Sequence, residues 1–366
     1  MNRKTNIKNN VITIGVSVVL TFFFLIFCKL NYTYNIGKII LFSVCGAIIF
    51  AVFNVFFHEI GHVILGKANG FKLIELTIFF FKWTKTNAKT QFSLVKYNDC
   101  AGSTQMALKS FDNAKEKIIK MTRGGAIFNF ILLATSIVPF FLTSIIPMWL
   151  YILWGVGLPV SAYSFLSAVL PISSFGARND AGVIYGIKRN DDESKVMLNL
   201  FNIESLLFNG KAPKEIDRNL YYDVPQLPED SLTFLSLLSA RYFYNVDIND
   251  YEEAKAVVNR MLMLTESLPS NAINLIKTYA LYSYCTFDFN EESADDFMFE
   301  LEKHLNATND ALNVLTKLAY ILRVDGNSEC FDKFYDKGIK EANKMKLKGL
   351  GTFYCDRLNE LKKENA

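Results

Sequence analysis

The stretch Phe53–Gly66, FNVFFHEIGHVILG, places a His-Glu-x-x-His pattern inside an apolar run that resembles a membrane span. In a helix, residues four positions apart lie on one face, so His58 and His62 can reach one metal ion. Glu59 then lies beside them, where a carboxylate can take a proton from a water molecule. Ionisable groups within a span are costly and usually functional. The stretch therefore predicts a Zn²⁺ site in a membrane helix.

Composition divides the chain into two unlike parts. It has 366 residues, of which 51% are hydrophobic and 32 are Phe, and this content is typical of membrane proteins. Residues 1–177 carry 16 Lys and Arg against 5 Asp and Glu, whereas residues 178–366 carry 23 against 31. We predict a membrane domain over 1–190 and a cytoplasmic helical domain over 191–366. The Lys excess before residue 124 indicates topology and lipid contact, and no stacking platform for nucleic acid accompanies it.

Four apolar segments predict transmembrane helices at about 11–28, 39–65, 124–146 and 148–171. No charged residue occurs from Gly124 to Ala177, a length that suits two spans with a turn near Pro147. Lys and Arg concentrate before the first span and between the second and third. The positive-inside rule then predicts a multi-pass protein of the cell membrane with both termini in the cytoplasm. In this topology the second and fourth spans end on the same side.

The region between the second and third spans predicts a small β-hairpin. FKLIELTIFFFKW and TQFSLVKYN are rich in β-branched and aromatic residues, which favours two strands within 71–98. Their edges must be paired, because an open sheet edge in lipid leaves backbone groups unsatisfied. The charged segment 110–121 predicts a helix at the membrane surface.

The second half of the chain shows a weak internal period. Ala240, Ala280 and Ala319 come into register at spacings of 40 and 39 residues, and each unit predicts a helix, a turn and a helix. The pattern weakly resembles tetratricopeptide-type repeats, and such an array can bind a protein partner. The predicted fold class is thus membrane α-helical, with about four spans and a β-hairpin insertion, followed by an all-α helical-hairpin repeat domain.

A catalytic zinc site needs a third protein ligand besides His58 and His62. Glu75 is available but falls in the strand region, and His304 falls on a charged helix of the second half. The remaining candidate is Asp180, at the exit of the fourth span and on the same predicted side as His62. Asp191 and Asp192 are possible substitutes.

Three motifs together resemble the site-2 protease family of intramembrane zinc metalloproteases. They are HEIGH at the end of a span, GGAIFN just inside the third span, and LP followed by NDAG after the fourth. The resemblance covers roughly residues 40–190 and implies His58, His62 and Asp180 as zinc ligands and Glu59 as the catalytic carboxylate. It also implies that Asn129 helps to place the substrate or the oxyanion. Paired strands at 71–98 would offer an edge to an extended substrate.

The sequence departs from the family pattern near the third ligand. Ala168 stands where the family has Asn, Asp180 follows Pro171 by nine residues rather than five, and Ala181 separates Asp180 from Gly182. The departures leave the third ligand open between Asp180 and the two later aspartates.

We therefore predict an intramembrane zinc metalloprotease that cleaves a membrane-associated protein or peptide, either in regulated proteolysis or in peptide maturation. Its predicted partners are this substrate and the lipid bilayer, with a further protein partner possible for the repeats. One alternative is a non-catalytic scaffold with a structural metal site. Another is a soluble-type metallopeptidase that is merely tethered to the membrane.

Overall fold

The computed structural model describes residues 3–31, 35–86, 89–95, 101–174, 177–229, 231–268, 270–307, 310–326 and 331–365. The chain is mostly helical. It divides into two compact units: Met1–Thr84 with Thr90–Ser194, and Lys85–Lys89 with Lys195–Ala366. The first unit contains α1 (Arg3–Asn31), α2 (Ile36–Ala68), α3 (Ala114–Ile137), α4 (Met148–Gly155), α5 (Gly157–Val169) and α6 (Asp180–Arg189).

Four helical segments of the first unit are long and apolar enough to cross a membrane, as the sequence predicted. They are Lys4–Asn31, Ile36–Ala68, Ala114–Phe141 and Met148–Val169. The helix predicted at 110–121 is present only from Ala114 onward, where its residues form the first turns of α3 rather than a helix apart from the third span. A 3₁₀ turn at Val138–Phe141 then ends this span before Pro147.

The fourth span is broken between α4 and α5, which end and begin on either side of Val156. Pro159 lacks the N–H that would bond the carbonyl of Gly155, so a continuous helix would lose a hydrogen bond here.

The insertion after α2 has four strands where the sequence predicted two. They are β1 (Phe71–Ile78), β2 (Phe81–Thr86), β3 (Lys89–Leu94) and β4 (Gly102–Leu108), in the antiparallel order β3-β2-β1-β4. The first predicted strand is split because Phe79, with φ of 54°, turns the chain between β1 and β2. Strand β4 was not predicted from the sequence, and residues 87–88 and 96–98 of the predicted insertion lie outside the described residues.

Strand β4 pairs with β1, from Phe71 opposite Leu108 to Ile78 opposite Gly102. Its last three residues, Met106 to Leu108, are buried, as are Leu76 and Ile78 of β1. Leu76 and Ile78 pack with Val63 of α2, so the sheet is held against the helix that carries the His-Glu-x-x-His pattern. Strand β4 therefore runs beside that pattern.

The second unit is built from helices around a large hydrophobic core, beside a smaller buried cluster that includes Ile203, Leu207 and Tyr244. They include α9 (Leu232–Asp247), α10 (Tyr251–Met263), α11 (Ser270–Cys285), α12 (Glu291–Ala307), α13 (Ala311–Tyr320), α14 (Phe331–Asn343) and α15 (Lys348–Asn365), after α7 (Asp192–Phe208) and the short α8 (Asn219–Tyr222). Ala240, Ala280 and Ala319 fall in α9, α11 and α13, and the last two are fully buried. The repeat interpretation stays a prediction.

Candidate metal centre

Helix α2 supplies two imidazoles that face each other. His58 and His62 lie one turn apart, and their Nε2 atoms are 3.1 Å from one another. His62 Nδ1 lies 3.1 Å from the carbonyl oxygen of Met121 on α3, a distance at which Nδ1–H donates. Because that bond fixes the proton on Nδ1, Nε2 of His62 is left with a lone pair for a metal.

Asp180 brings the third group to this point. Its Oδ2 lies 3.1 Å from Nε2 of His58 and 3.2 Å from Nε2 of His62. Within the described part of the chain, these three side chains offer ligand atoms that all lie within 4.8 Å of one another. Burial opposes the charged form of Asp180, but hydrogen bonds and charge from the two histidines, when both imidazoles are protonated, outweigh it and lower the pKa of the carboxyl.

The chemistry of this cluster fits a metal ion. Asp180 Oδ2 is buried, and among the described residues no group donates a hydrogen bond to it unless a histidine carries a proton on Nε2. Two imidazole nitrogens and one carboxylate oxygen, each with a lone pair directed inward, are a usual donor set of catalytic zinc sites. The residues present could therefore hold zinc.

Two glycines of α3 explain why the imidazoles can occupy this position. A Cβ on Gly124 would overlap the backbone of α2 at Gly61, and a Cβ on Gly61 would overlap Gly124 in turn. A Cβ on Gly125 would overlap the ring of His58. Gly61 and Gly124 thus let α2 and α3 approach closely, and Gly125 leaves room for the ring of His58.

Asn129 of α3 lies behind His58. Its Nδ2 is 3.1 Å from Nδ1 of His58 and donates to the carbonyl oxygen of Ser164, at 3.2 Å. Its Oδ1 is buried and has no hydrogen-bond partner in the part of the chain that the structure describes. Asn129 thus contacts His58 and Ser164, and it also lines the cavity. Its predicted role at the substrate or the oxyanion stays a prediction.

Glu59 is buried next to the cluster, with 6% of its surface exposed. It accepts a hydrogen bond of 2.5 Å from the hydroxyl of Thr104 on β4. Ion pairs engage two of the other acidic candidates. Glu75 pairs with Lys82 at 2.9 Å, Asp191 pairs with Arg178, and His304 belongs to α12 of the second unit.

Asn179 was not singled out from the sequence, although Asn before a helix is a common N-cap. Its Oδ1 accepts from the backbone N–H groups of Ile172 and Gly182, at 2.9 Å each. Its Nδ2 donates to the carbonyl oxygens of Ser167 and Leu170. One side chain thus joins the end of α5 to the start of α6, where Asp180 is the first residue.

A cavity of about 600 Å³ surrounds the cluster within the first unit. Polar groups of α1, α2, α5 and β4 line it, among them Asn10, Asn54, Ser164 and Thr104. Asn54 lies one turn before His58 and donates to Ser161 at 3.0 Å, which ties α2 to α5. A polar cavity of this size can hold water and an extended peptide segment between apolar helices.

Comparison with known proteins agrees with this geometry. The model of Peptidase family M50, the site-2 protease family, matches residues 46–327, which is more than half of the chain. No curated protein and no solved structure gives a significant match. Members of family M50 are zinc metalloproteases, and the four apolar helices agree with a membrane protein. The chain belongs to Peptidase family M50, the site-2 protease family.

Proposed function

We propose that this chain is an intramembrane zinc metalloprotease that hydrolyses a peptide bond of a membrane-associated protein or peptide. The observation that carries the proposal is the convergence of His58, His62 and Asp180 beside Glu59, in a polar cavity between apolar helices. A tethered enzyme of the soluble type would not need its histidines in an apolar helix of 33 residues.

The three ligand side chains would hold the zinc ion. Zinc in such a site lowers the pKa of a water molecule and polarises a carbonyl group. Glu59 takes the proton of the attacking water and returns it to the amine nitrogen as the C–N bond breaks. Asn129 orients His58. A metal at Nε2 of His58 would place the ring proton on Nδ1, which lies 3.1 Å from the amide of Asn129.

The substrate would lie along β4. Of the two edge strands in the described sheet, β4 contributes Gly102, Ser103 and Thr104 to the cavity wall. Strand addition uses backbone N–H and C=O groups, which a helix already engages in its own hydrogen bonds. A helical membrane substrate must therefore unwind before it can pair with β4 and reach Glu59.

In the proposed topology both termini lie in the cytoplasm, because Lys and Arg concentrate before the first span and between the second and third. The site would then lie near the cytoplasmic boundary, where water can reach it. A green fluorescent protein fused after Ala366 should fluoresce in cells, and an alkaline phosphatase fused there should be inactive. The opposite pair of results would overturn this orientation.

Hydrolysis is tested with the full chain in detergent micelles and fluorescein-labelled casein as an unfolded probe. We expect the wild type to release fluorescent fragments, and Glu59→Gln to lose this activity while it keeps its zinc. The matched control is Glu116→Gln, an exposed glutamate in the first turn of α3. Equal turnover by wild type and Glu59→Gln would contradict Glu59 as the base, and absence of cleavage by both would contradict the protease and favour the scaffold alternative.

A further inference from the structure

The residue that holds Glu59 in place lies on β4, outside the His-Glu-x-x-His motif. Thr104 Oγ1 is 2.5 Å from Oε2 of Glu59 and 3.3 Å from the backbone oxygen of the same residue. A threonine hydroxyl has one proton, so it donates to one acceptor at a time. The shorter distance identifies the carboxylate as the principal acceptor.

Gly102 lies on the same face of β4, two residues before Thr104. A Cβ at this position would lie 2.5 Å from Oε1 of Glu59 and 2.8 Å from its Cγ. Real Cβ atoms do not come so close, so any side chain here would displace the carboxylate. Strand β4 therefore accommodates Glu59 in two ways. Gly102 is an open position, where the absence of a side chain leaves space for the carboxylate, and Thr104 donates a hydrogen bond to it.

A general base works only when it is held within a small distance and angle of the proton it takes. A glutamate side chain has three rotatable bonds, and helix α2 fixes only its Cα. Hydrogen bonds to a charged acceptor are short and about twice as strong as neutral ones. The Thr104 hydroxyl is thus suited to fix the rotamer of Glu59.

We infer that Thr104 is a positioning residue of the peptidase, which holds the Glu59 carboxylate in its working orientation against the open position at Gly102. The inference rests on the proposed function, because it assigns Glu59 the role of the base. It adds that β4, the strand along which the substrate would lie, also fixes the base. Because β4 would hold both the substrate backbone and Glu59, this one strand would set the distance between them.

The test compares Thr104→Val, which keeps the side-chain shape but lacks the hydroxyl, with Thr104→Ser, which keeps the hydroxyl. The matched control is Thr77→Val on β1. Thr77 is opposite Ser103 in the sheet, so its side chain is on the other face from Thr104. Each full-length variant is assayed for casein cleavage and zinc content in detergent micelles.

We expect Thr104→Val to lower kcat by about 10- to 100-fold, with KM and zinc content unchanged. Thr104→Ser should retain most of the activity, and Thr77→Val should match the wild type. Gly102→Ala should lose at least as much kcat as Thr104→Val, although it keeps the hydroxyl. A Thr104→Val variant with wild-type kcat, or one changed only in KM, would overturn the inference.

A second measurement needs no substrate. A double-mutant cycle between Thr104→Val and Glu59→Ala is measured by thermal unfolding, with Thr77→Val and Glu59→Ala as the control cycle. The first pair should be non-additive and the second additive. Additivity in both cycles would refute the contact. Should the wild type fail to cleave casein, the proposed function would lose support while this cycle still tests the contact. Thr104→Ala replaces Thr104→Val if the latter does not fold.

Discussion

Two segments of the first unit meet at the metal centre, and the chain fixes them by different means. His58 and His62 are presented by the backbone of α2, where helix geometry alone puts positions i and i+4 on one face. Asp180 follows a loop whose position depends on side chains. The helix side, which is α2 with His58 and His62, is thus specified by local sequence. The loop side, which is the segment from the end of α5 to Asp180, is specified by tertiary hydrogen bonds.

Asparagines provide most of these bonds on the loop side. Asn179 makes four, and two more asparagines reach the loop from α1. Asn6 bonds both backbone groups of Ser173, and Asn9 donates to the carbonyl of Pro171 at 2.7 Å. The loop is therefore held by asparagines of α1 and by the N-cap of α6, and Ser173–Ser174 pairs with Ala177–Arg178 just before Asp180.

The largest effect is expected from Gly125→Ala, which disturbs the helix side by packing. The new methyl group would overlap the His58 ring and displace it. Overpacking of this kind costs about 1–3 kcal/mol, so we expect zinc affinity to fall by about 100-fold. Chelator competition measures this affinity. Gly15→Ala is the control, because a Cβ there meets no atom within 4 Å. Unchanged affinity in Gly125→Ala would show that the ring tolerates the methyl group.

A smaller effect is expected from Asn179→Ala, which loosens the loop side. The change removes hydrogen bonds to Ile172, Gly182 and the end of α5, but leaves all three ligands in the chain. We expect about a 10-fold loss of zinc affinity, as for other residues that orient a metal ligand. Asn31→Ala, which removes only a local bond to Phe27 in α1, should change nothing. A wild-type affinity in Asn179→Ala would mean that the loop is held by other contacts.

The smallest effect is expected from Asp191→Asn, because Asp191 supports the loop side at a distance. Partial burial opposes its ionisation, but bonds from Ser194 and Arg178 outweigh this and lower its pKa. A carboxyl with a lowered folded pKa adds stability at neutral pH, and this is lost as the pH falls below about 4. Thermal unfolding against pH should show a weaker acid dependence in the variant, with zinc content intact. Loss of zinc from Asp191→Asn would instead indicate that Asp191 is a metal ligand.

The sequence was informative where the signal is local. The spacing of His58 and His62, the four apolar runs and the turn near Pro147 all depend on neighbours in the chain, and the structure has the corresponding elements. The family resemblance also came from short motifs, and the family is confirmed.

The features that were missed depend on contacts between distant segments. Strand β4 has little β-branched content, and it is a strand because it pairs with β1. Nothing in GSTQMAL indicates that Thr104 lies against Glu59, 45 positions earlier. The sequence also placed the boundary between a surface helix and the third span wrongly. The charged segment from Lys115 to Arg123 and the apolar GGAIFN belong to one helix, α3.

The central claim, that one metal ion is held jointly by the helix side and the loop side, is tested most directly by zinc content. Mass spectrometry of purified full-length protein should find zinc in the wild type and in Asp192→Ala, and far less in Asp180→Ala. Asp192 lies in the first turn of α7 and is the matched aspartate of the same region. Zinc at the wild-type level in Asp180→Ala would contradict the claim.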